Sequence, residues 1–476
     1  MFFNSFQFLF FFILVTTLYF LLPFKIRWIL LLVASCYFYM AFVPIYILIL
    51  GFTIVVDYFA GILIESSQGK RRKLFLISSL IANIGILCVF KYYNFINDNL
   101  AFILHGFGLA NPIPYLSILL PIGLSFHTFQ AMSYTIEVYR GNQKTERHFG
   151  LYALYVMFYP QLVAGPIERP QNLLHQFRVK HEFNSDRVFE GLKIMIWGLF
   201  KKLVVADRLG IYVNGAYNYI DNQDGITLLL ATIFFSFQIY CDFSGYSDMA
   251  IGAARVMGFN LMTNFKRPLF AKNTGQFWKR WHISLSTWFK DYLYFPIGGN
   301  KVPVPRWYFN IMVVFLISGL WHGANWTYII WGGINGFYLV FALMTKNYVE
   351  KFNSLTGILK FPKLHLFLQI TVTFILITFS RIFFRAQSFD DAIKVIKKIA
   401  TFKGSIFTDG FMIIAYSFFA IAILLIVEFK KEFYHGKFTL SNHKYFWVRN
   451  LYYTVLIILI ITLGVFDGGQ FIYFQF

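Results

Sequence analysis

The sequence predicts an all-α, polytopic membrane protein, on three observations. Hydrophobic residues make up 58% of the 476 residues and aromatic residues 21%. Charged residues make up only 13%, about half of the roughly 25% that an average soluble chain carries. The apolar residues fall in runs spread from end to end, many of a length that crosses a hydrocarbon layer about 30 Å thick. Together these exclude an ordinary soluble enzyme. Disorder is excluded as well, because disordered segments are polar and poor in aromatic residues. A single membrane domain over residues 1–476 is expected.

The runs, in order, are Phe2 to Leu22, Trp28 to Phe42, Ile45 to Ile64, Leu74 to Tyr93, Ser117 to Tyr139, Leu151 to Val163, Val188 to Leu203, Ile226 to Tyr240, Tyr308 to Leu320, Trp326 to Met344, Leu364 to Phe384, Phe411 to Val427 and Leu451 to Phe466. Several are shorter than the roughly 20 residues that a span needs. Tilted, re-entrant and bundle-buried segments are therefore expected among about 10 to 13 true crossings. The first run lacks a basic flank and an A-x-A-like cleavage site, so it reads as a retained span. Cys36, Cys88 and Cys241 form no CxxC pair and are expected to pack as small buried side chains, with no disulfide or metal role.

Lysine and arginine number 42 against 22 acidic residues, a net charge of +20. The bases sit in short clusters between apolar runs, which marks cytoplasmic loops and argues against a nucleic-acid partner. Lys25 with Arg27, the run from Lys70 to Lys73, the stretch from Lys266 to Arg306, and the loop with Lys430, Lys431, Lys437, Lys444 and Arg449 should face the cytoplasm. The uncharged run from Leu451 to Phe466 then leads outward, which places the aromatic tail, residues 467–476, at the extracytoplasmic face.

Residues 240–306 break the pattern. Aromatic residues interleave with Lys and Arg there, and Pro268, Pro296, Pro303 and Pro305 interrupt the chain. This reads as amphipathic helices and loops at the cytoplasmic interface. Between Lys266 and Arg306 stand eight bases, Lys266, Arg267, Lys272, Lys279, Arg280, Lys290, Lys301 and Arg306, against Asp291 alone. Either they meet lipid phosphates, or Lys279, Arg280 and their neighbours dock a phosphorylated donor such as coenzyme A or an acidic carrier protein.

Two of the ten histidines stand out. His322 follows a long apolar run and precedes Gly323. A helix starting near Tyr308 would carry it about 20 Å into the layer. An ionisable group at such depth faces a cavity or a partner. A buried neutral imidazole can serve as a general base, or it can tie two helices together. His282 would share one helical face with Trp278, Trp281, Leu285 and Phe289, away from Lys279, Arg280 and Lys290. Asp242, Ser244 and Asp248, at the end of the run from Ile226 to Tyr240, could orient an imidazole or cap a helix, and Asn325 just after His322 joins the orienting candidates. No G-x-S-x-G, HExxH, Walker A or G-x-G-x-x-G motif occurs, so hydrolase-triad, zinc-protease, nucleotidase and dinucleotide chemistry have no support.

Four ordered segments now carry a resemblance. Tyr159 to Pro170 (YPQLVAGPIERP), Tyr240 to Asp248 (YCDFSGYSD), Phe277 to Phe289 (FWKRWHISLSTWF) and Gly319 to Gly323 (GLWHG) resemble the membrane-bound O-acyltransferases (MBOAT), and among them the bacterial alginate and peptidoglycan O-acetyltransferase membrane subunits. The resemblance implies a ring of tilted helices around a funnel, in a bacterial inner membrane. His322 matches the family's essential membrane histidine and His282 its second one. The implied reaction passes an acyl group, usually acetyl, from a cytoplasmic thioester such as acetyl-CoA or an acyl carrier protein toward an extracytoplasmic polysaccharide, with no tightly bound cofactor.

The tail adds to this. Residues 471–476 (FIYFQF) resemble the aromatic C-terminal motif of the small subunit in teichoic-acid D-alanylation. That resemblance implies Tyr473 as an acyl relay to a secreted SGNH-type transferase partner, and the alternative is an interfacial aromatic anchor. A transporter or flippase, or a non-catalytic scaffold for an extracytoplasmic transferase, remain the competing functions.

Overall fold

The computed structural model describes residues 1–117, 120–163, 165–404, 411–434, 443–466 and 472. Among the described residues, regular structure is helical throughout, from Phe6–Leu21 to Phe446–Leu463. Eight helical stretches are long and apolar enough to cross a membrane: Pro44–Ser66, Gly69–Gly106, Gly225–Met257, Val304–His322, Trp326–Met344, Pro362–Arg385, Phe411–Phe433 and Phe446–Leu463. The first apolar run makes a shorter helix, Phe6–Leu21, whose N-cap Ser5 accepts the Phe8 N–H.

Among the described residues eight is fewer than the 10 to 13 read from hydropathy: Phe6–Leu21, Phe24–Met40 and Leu124–Arg140 are only 16 or 17 residues long, and other apolar runs are short and buried in protein. The run from Leu151 to Val163 divides into Phe149–Met157 and Tyr159–Leu162, and its side chains are buried throughout. A helix apolar on every side can be enclosed by protein as readily as by lipid. The run from Val188 to Leu203 likewise ends in a π-helical segment, Phe200–Ala206, with every side chain buried. Conversely, the helix that begins at Gly225 does not stop at Tyr240 but continues to Met257. The segment expected to be interfacial from residue 240 therefore opens inside this helix rather than after it.

The chain gathers into two compact units, Met1–Met195 with Tyr246–Met262, and Ile196–Gly245 with Thr263–Phe476. In the first unit a buried polar knot joins three helices. Asp57, in the helix Ile47–Ser66, accepts Ser79 Oγ at 2.6 Å and Asn83 Nδ2 at 2.9 and 3.0 Å, both from Gly69–Leu87. Thr135 of Leu124–Arg140 lies 3.1 Å from the same serine hydroxyl. A buried carboxylate survives away from water only when its lone pairs are met in this way. The segment from Tyr159 to Pro170 has a comparable role, since Glu168 is fully buried and accepts the Met262 N–H and Asn172 Nδ2.

The three cysteines are all free, but only Cys241 is buried. Cys36 is half-buried and Cys88 exposed. An apolar exterior suits a membrane protein, so hydropathy does not distinguish an inward thiol from an outward one. Replacing Asp57 by Ala leaves Ser79 and Asn83 buried without their carboxylate acceptor, with only Thr135 Oγ1 and the Ser79 carbonyl still in reach, and should cost about 1–3 kcal/mol. Thermal unfolding of the purified variant in detergent checks this.

Candidate active site

All the histidine-site geometry below lies within the second unit. The helix Thr274–Trp278 is capped by Asn273, whose side chain accepts the Gln276 N–H at 2.8 Å. The chain then turns, and a second short helix runs over Ile283–Phe289. The single helix expected from Trp278 to Phe289 is thus broken, and the break falls at His282, which adopts the left-handed conformation with φ 44° and ψ 54°. For a residue with a side chain this costs about 1–3 kcal/mol and persists only when the surroundings over-determine it.

Asn264 supplies those surroundings. Its main-chain oxygen accepts the Ile283 N–H at 2.9 Å, and its side-chain oxygen accepts Ser284 Oγ at 2.9 Å. The same oxygen lies 3.2 Å from His282 Nδ1. An amide oxygen can only accept, so Nδ1 carries the proton of that bond and Nε2 is left as the acceptor of the neutral ring. His282 is 1% exposed and stands edge-on to Phe243 at 4.6 Å and to Trp321 at 6.1 Å. It lies outside the eight spanning helices, and burial pushes its pKa down.

His322 is the last residue of Val304–His322. The helix starts four residues before the expected Tyr308, so the ring stands about 27 Å along the axis from the helix start, farther than expected. It is 3% exposed and sits edge-on to Trp321 and Trp331, each at 5.0 Å, and to Phe384 at 5.5 Å. The neighbouring glycines make this enclosure possible. A Cβ on Gly319 would stand 2.2 Å from the Tyr328 carbonyl oxygen, and one on Gly323 2.2 Å from the Tyr328 ring. The helix Trp326–Met344 can therefore press against His322 only because the motif GLWHG has no side chains at its ends.

The two imidazoles line one cavity of about 150 Å³, together with Trp278, Trp281, Leu285, Phe289 and Ser318. The five residues expected on one helical face do meet in one place, but a broken turn brings them there. Trp278 and Trp281 also line an adjoining space with Arg381, Trp331 and Phe384. The Arg381 guanidinium lies 4.7 Å from the Trp281 ring and donates to the Ser236 carbonyl at 2.9 Å.

The other candidates are placed differently from expectation. Asp242 and Ser244 lie inside the helix Gly225–Met257 and cannot cap its end. Asp242 accepts Lys202 Nζ at 2.6 Å, and Ser244 accepts Lys201 Nζ at 2.9 Å. Asp248 belongs to the part of that helix in the first unit. Asn325 caps Trp326–Met344 through the Thr327 N–H at 2.9 Å and donates to the Gln387 carbonyl at 3.1 Å. Arg280 forms an ion pair with Glu432 at 2.8 Å, and Arg267 one at 2.7 Å with the same carboxylate, so two of the eight bases already have a carboxylate partner within the protein. Lys279 is exposed on the turn. Tyr473 lies outside the described residues.

Asn264, Lys202 and Arg381 went unread in the sequence. For Lys202 and Arg381 the signal was present, a base inside an apolar run, the reasoning that singled out His322. Asn264 carried none, because an isolated amide in a polar stretch is unremarkable until the turn around it is known.

Residues 143–387, which include both histidines, match the membrane-bound O-acyltransferase family. The chain belongs to that family and is a multi-pass protein of the bacterial cell membrane. It is 36% identical to a probable alginate O-acetylase of Pseudomonas aeruginosa, over 75% of this chain and 66% of that protein. It is also 36% identical to the peptidoglycan O-acetyltransferase of Helicobacter pylori, over 75% of this chain and 71% of that one. A more distant relative is the teichoic acid D-alanyltransferase of Bacillus subtilis, 27% identical over 56% of this chain and 69% of that protein. The chain thus spans about two thirds of the length of these relatives.

Gly319→Ala should drive Tyr328 and its helix away from His322, as overpacked interiors lose about 1–3 kcal/mol. A lowered unfolding temperature, with a matching loss in Gly323→Ala, checks the close approach.

Proposed function

We propose that the protein is an O-acyltransferase that takes a short acyl group, acetyl in particular, from a cytoplasmic thioester and passes it toward an extracytoplasmic polysaccharide. The observation that carries this reading is the single apolar cavity holding both His282 and His322. His322 is the general base. It takes the proton of the acceptor hydroxyl as that oxygen attacks the thioester carbonyl, and the departing thiolate recovers the proton when the tetrahedral intermediate collapses. His282, its ring oriented by Asn264, and the nearby indoles hold the acyl carbonyl in line.

The size of the cavity supports a short acyl chain. About 150 Å³ is the volume of an interior cavity that takes up a molecule the size of benzene, enough for an acetyl thioester head. The donor is acetyl-CoA or an acyl carrier protein. Lys266, Lys272, Lys279, Lys290, Lys301 and Arg306 are the exposed bases that would attract its phosphates.

The names of the relatives support an alginate or peptidoglycan acceptor. We place Tyr473 as a relay that receives the acyl group and hands it to a secreted SGNH-type transferase. In this relay the Tyr473 hydroxyl is the acceptor, and the partner transfers the acyl group onward from the tyrosyl ester.

Donor turnover by purified protein in liposomes tests the reading. His322→Ala should lower turnover by about 10²–10⁴-fold, the usual contribution of a general base; unchanged turnover defeats the assignment and favours a transporter or scaffold. Lengthening the acyl group from acetyl to octanoyl should lower kcat/KM at least about tenfold, if the space between the two histidines is what holds the acyl group. Tyr473→Phe keeps the ring and removes the nucleophile, so full polysaccharide acylation in that variant ends the relay.

A further inference from the structure

Among the described residues, three other than glycine take a positive φ: Arg267 (47°), His282 (44°) and Phe402 (47°). Two of them lie in one small structure of the second unit. Residues 264–267 and 280–283 run side by side in opposite directions. The Asn264 carbonyl accepts the Ile283 N–H at 2.9 Å, and the Arg280 carbonyl accepts the Lys266 N–H at 2.9 Å. Arg267 and His282 sit one on each chain of this pair. Left-handed backbone is unfavourable for any residue with a Cβ, so it is kept only where the contacts around it leave no alternative. Asn264 supplies those contacts at the His282 end.

At the other end they come from a distant helix. Glu432, in the last turn of Phe411–Phe433, holds Arg267 Nε at 2.7 Å with one carboxylate oxygen and Arg280 Nη2 at 2.8 Å with the other. The Arg280 guanidinium also donates to the Arg267 carbonyl at 3.3 Å. Phe429 and Phe433 share a helical face with Glu432 through i, i+3 and i+4 spacing, and Phe270 rests on them at 6.2 and 5.9 Å. One helix face thus grips both chains of the pair by charge and the turn after Arg267 by packing. The Glu432 side chain is 14% exposed and that of Arg280 15%, so salt screens this contact less than an open surface pair. An isolated exposed ion pair contributes little. One carboxylate shared by two guanidiniums, by contrast, fixes two pieces of chain relative to each other.

We infer that Glu432 is a positioning residue for His282. By bridging Arg267 and Arg280 it closes the paired segment at the end opposite Asn264, and the turn so held keeps the imidazole in the cavity it shares with His322. The clamp stands on the geometry alone. Its catalytic consequence rests on the role given to His282 above.

Hydrogen exchange of the peptides from Asn264 to Phe289, read by mass spectrometry on the full-length protein in detergent, tests the clamp. The Lys266 and Ile283 amides are bonded across the pair and exchange only when it opens. Glu432→Leu removes the carboxylate and keeps the bulk, and should speed this exchange at least about tenfold. Unchanged exchange overturns the clamp. Glu432→Gln keeps the shape and one accepting oxygen, so it should shift exchange in the same direction by less. It carries the test should the leucine variant fail to fold, and no shift in it then overturns the clamp.

Kinetics test the positioning. In donor turnover Glu432→Leu should lower kcat about 10–100-fold, the scale of a group misplaced by about an ångström. The donor KM should be no higher than in the wild type, since the freed arginines add attraction for donor phosphates. Faster exchange with an unchanged kcat overturns the positioning role. A raised donor KM with an unchanged kcat overturns it as well, and assigns Glu432 to the donor site. His282→Ala separates the inference from the reading beneath it. Full turnover in that variant removes the role of His282 and with it the consequence drawn for Glu432, while the exchange result decides the clamp independently.

Discussion

A charge placed in an apolar interior must find its counter-charge or its hydrogen bonds within the protein, and this constraint organises the molecule. Several of the buried ionisable groups here are meeting points of elements far apart in sequence. Asp57 gathers three helices of the first unit. Lys202 joins a π-helical segment to Asp242 of the long helix, and Arg381 joins Pro362–Arg385 to the Ser236 carbonyl and the Trp281 ring. Apolar packing is available almost anywhere in such a chain, so it specifies little. The polar contacts are few, costly to leave unmade, and therefore decide which helices touch.

The histidine cavity depends on the same logic at shorter range. His282 is held in a strained conformation by one asparagine that bonds to the chain on both sides of the turn. His322 is flanked by two indoles and Phe384, and glycines let the next helix close over it. Both rings are thus held by the surrounding protein itself.

The excess of positive charge takes on a more specific meaning in this light. Part of it is neutralised across elements, as Glu432 holds both Arg267 and Arg280. Another part is buried, as Lys202 and Arg381 are. What stays exposed between Lys266 and Arg306 is a smaller set of bases than a count along the segment suggests. Glu432 stands more than a hundred residues away, beyond the reach of any local reading of charge.

By itself the sequence determined the all-α membrane class and singled out His282 and His322 as candidates, because hydropathy and the rarity of ionisable residues in apolar runs are local properties. It also determined that Trp278, Trp281, His282, Leu285 and Phe289 belong together, since their spacing survives the break in the helix. The break itself, the orienting Asn264, the pairing of Arg280 with Glu432 and the bond from Asp242 to Ile472 were decided only by tertiary structure. Each is a contact between residues from 18 to 230 positions apart, and no periodicity encodes such a partner. The same limit applies to the number of crossings, because a segment enclosed by protein and one enclosed by lipid are equally apolar.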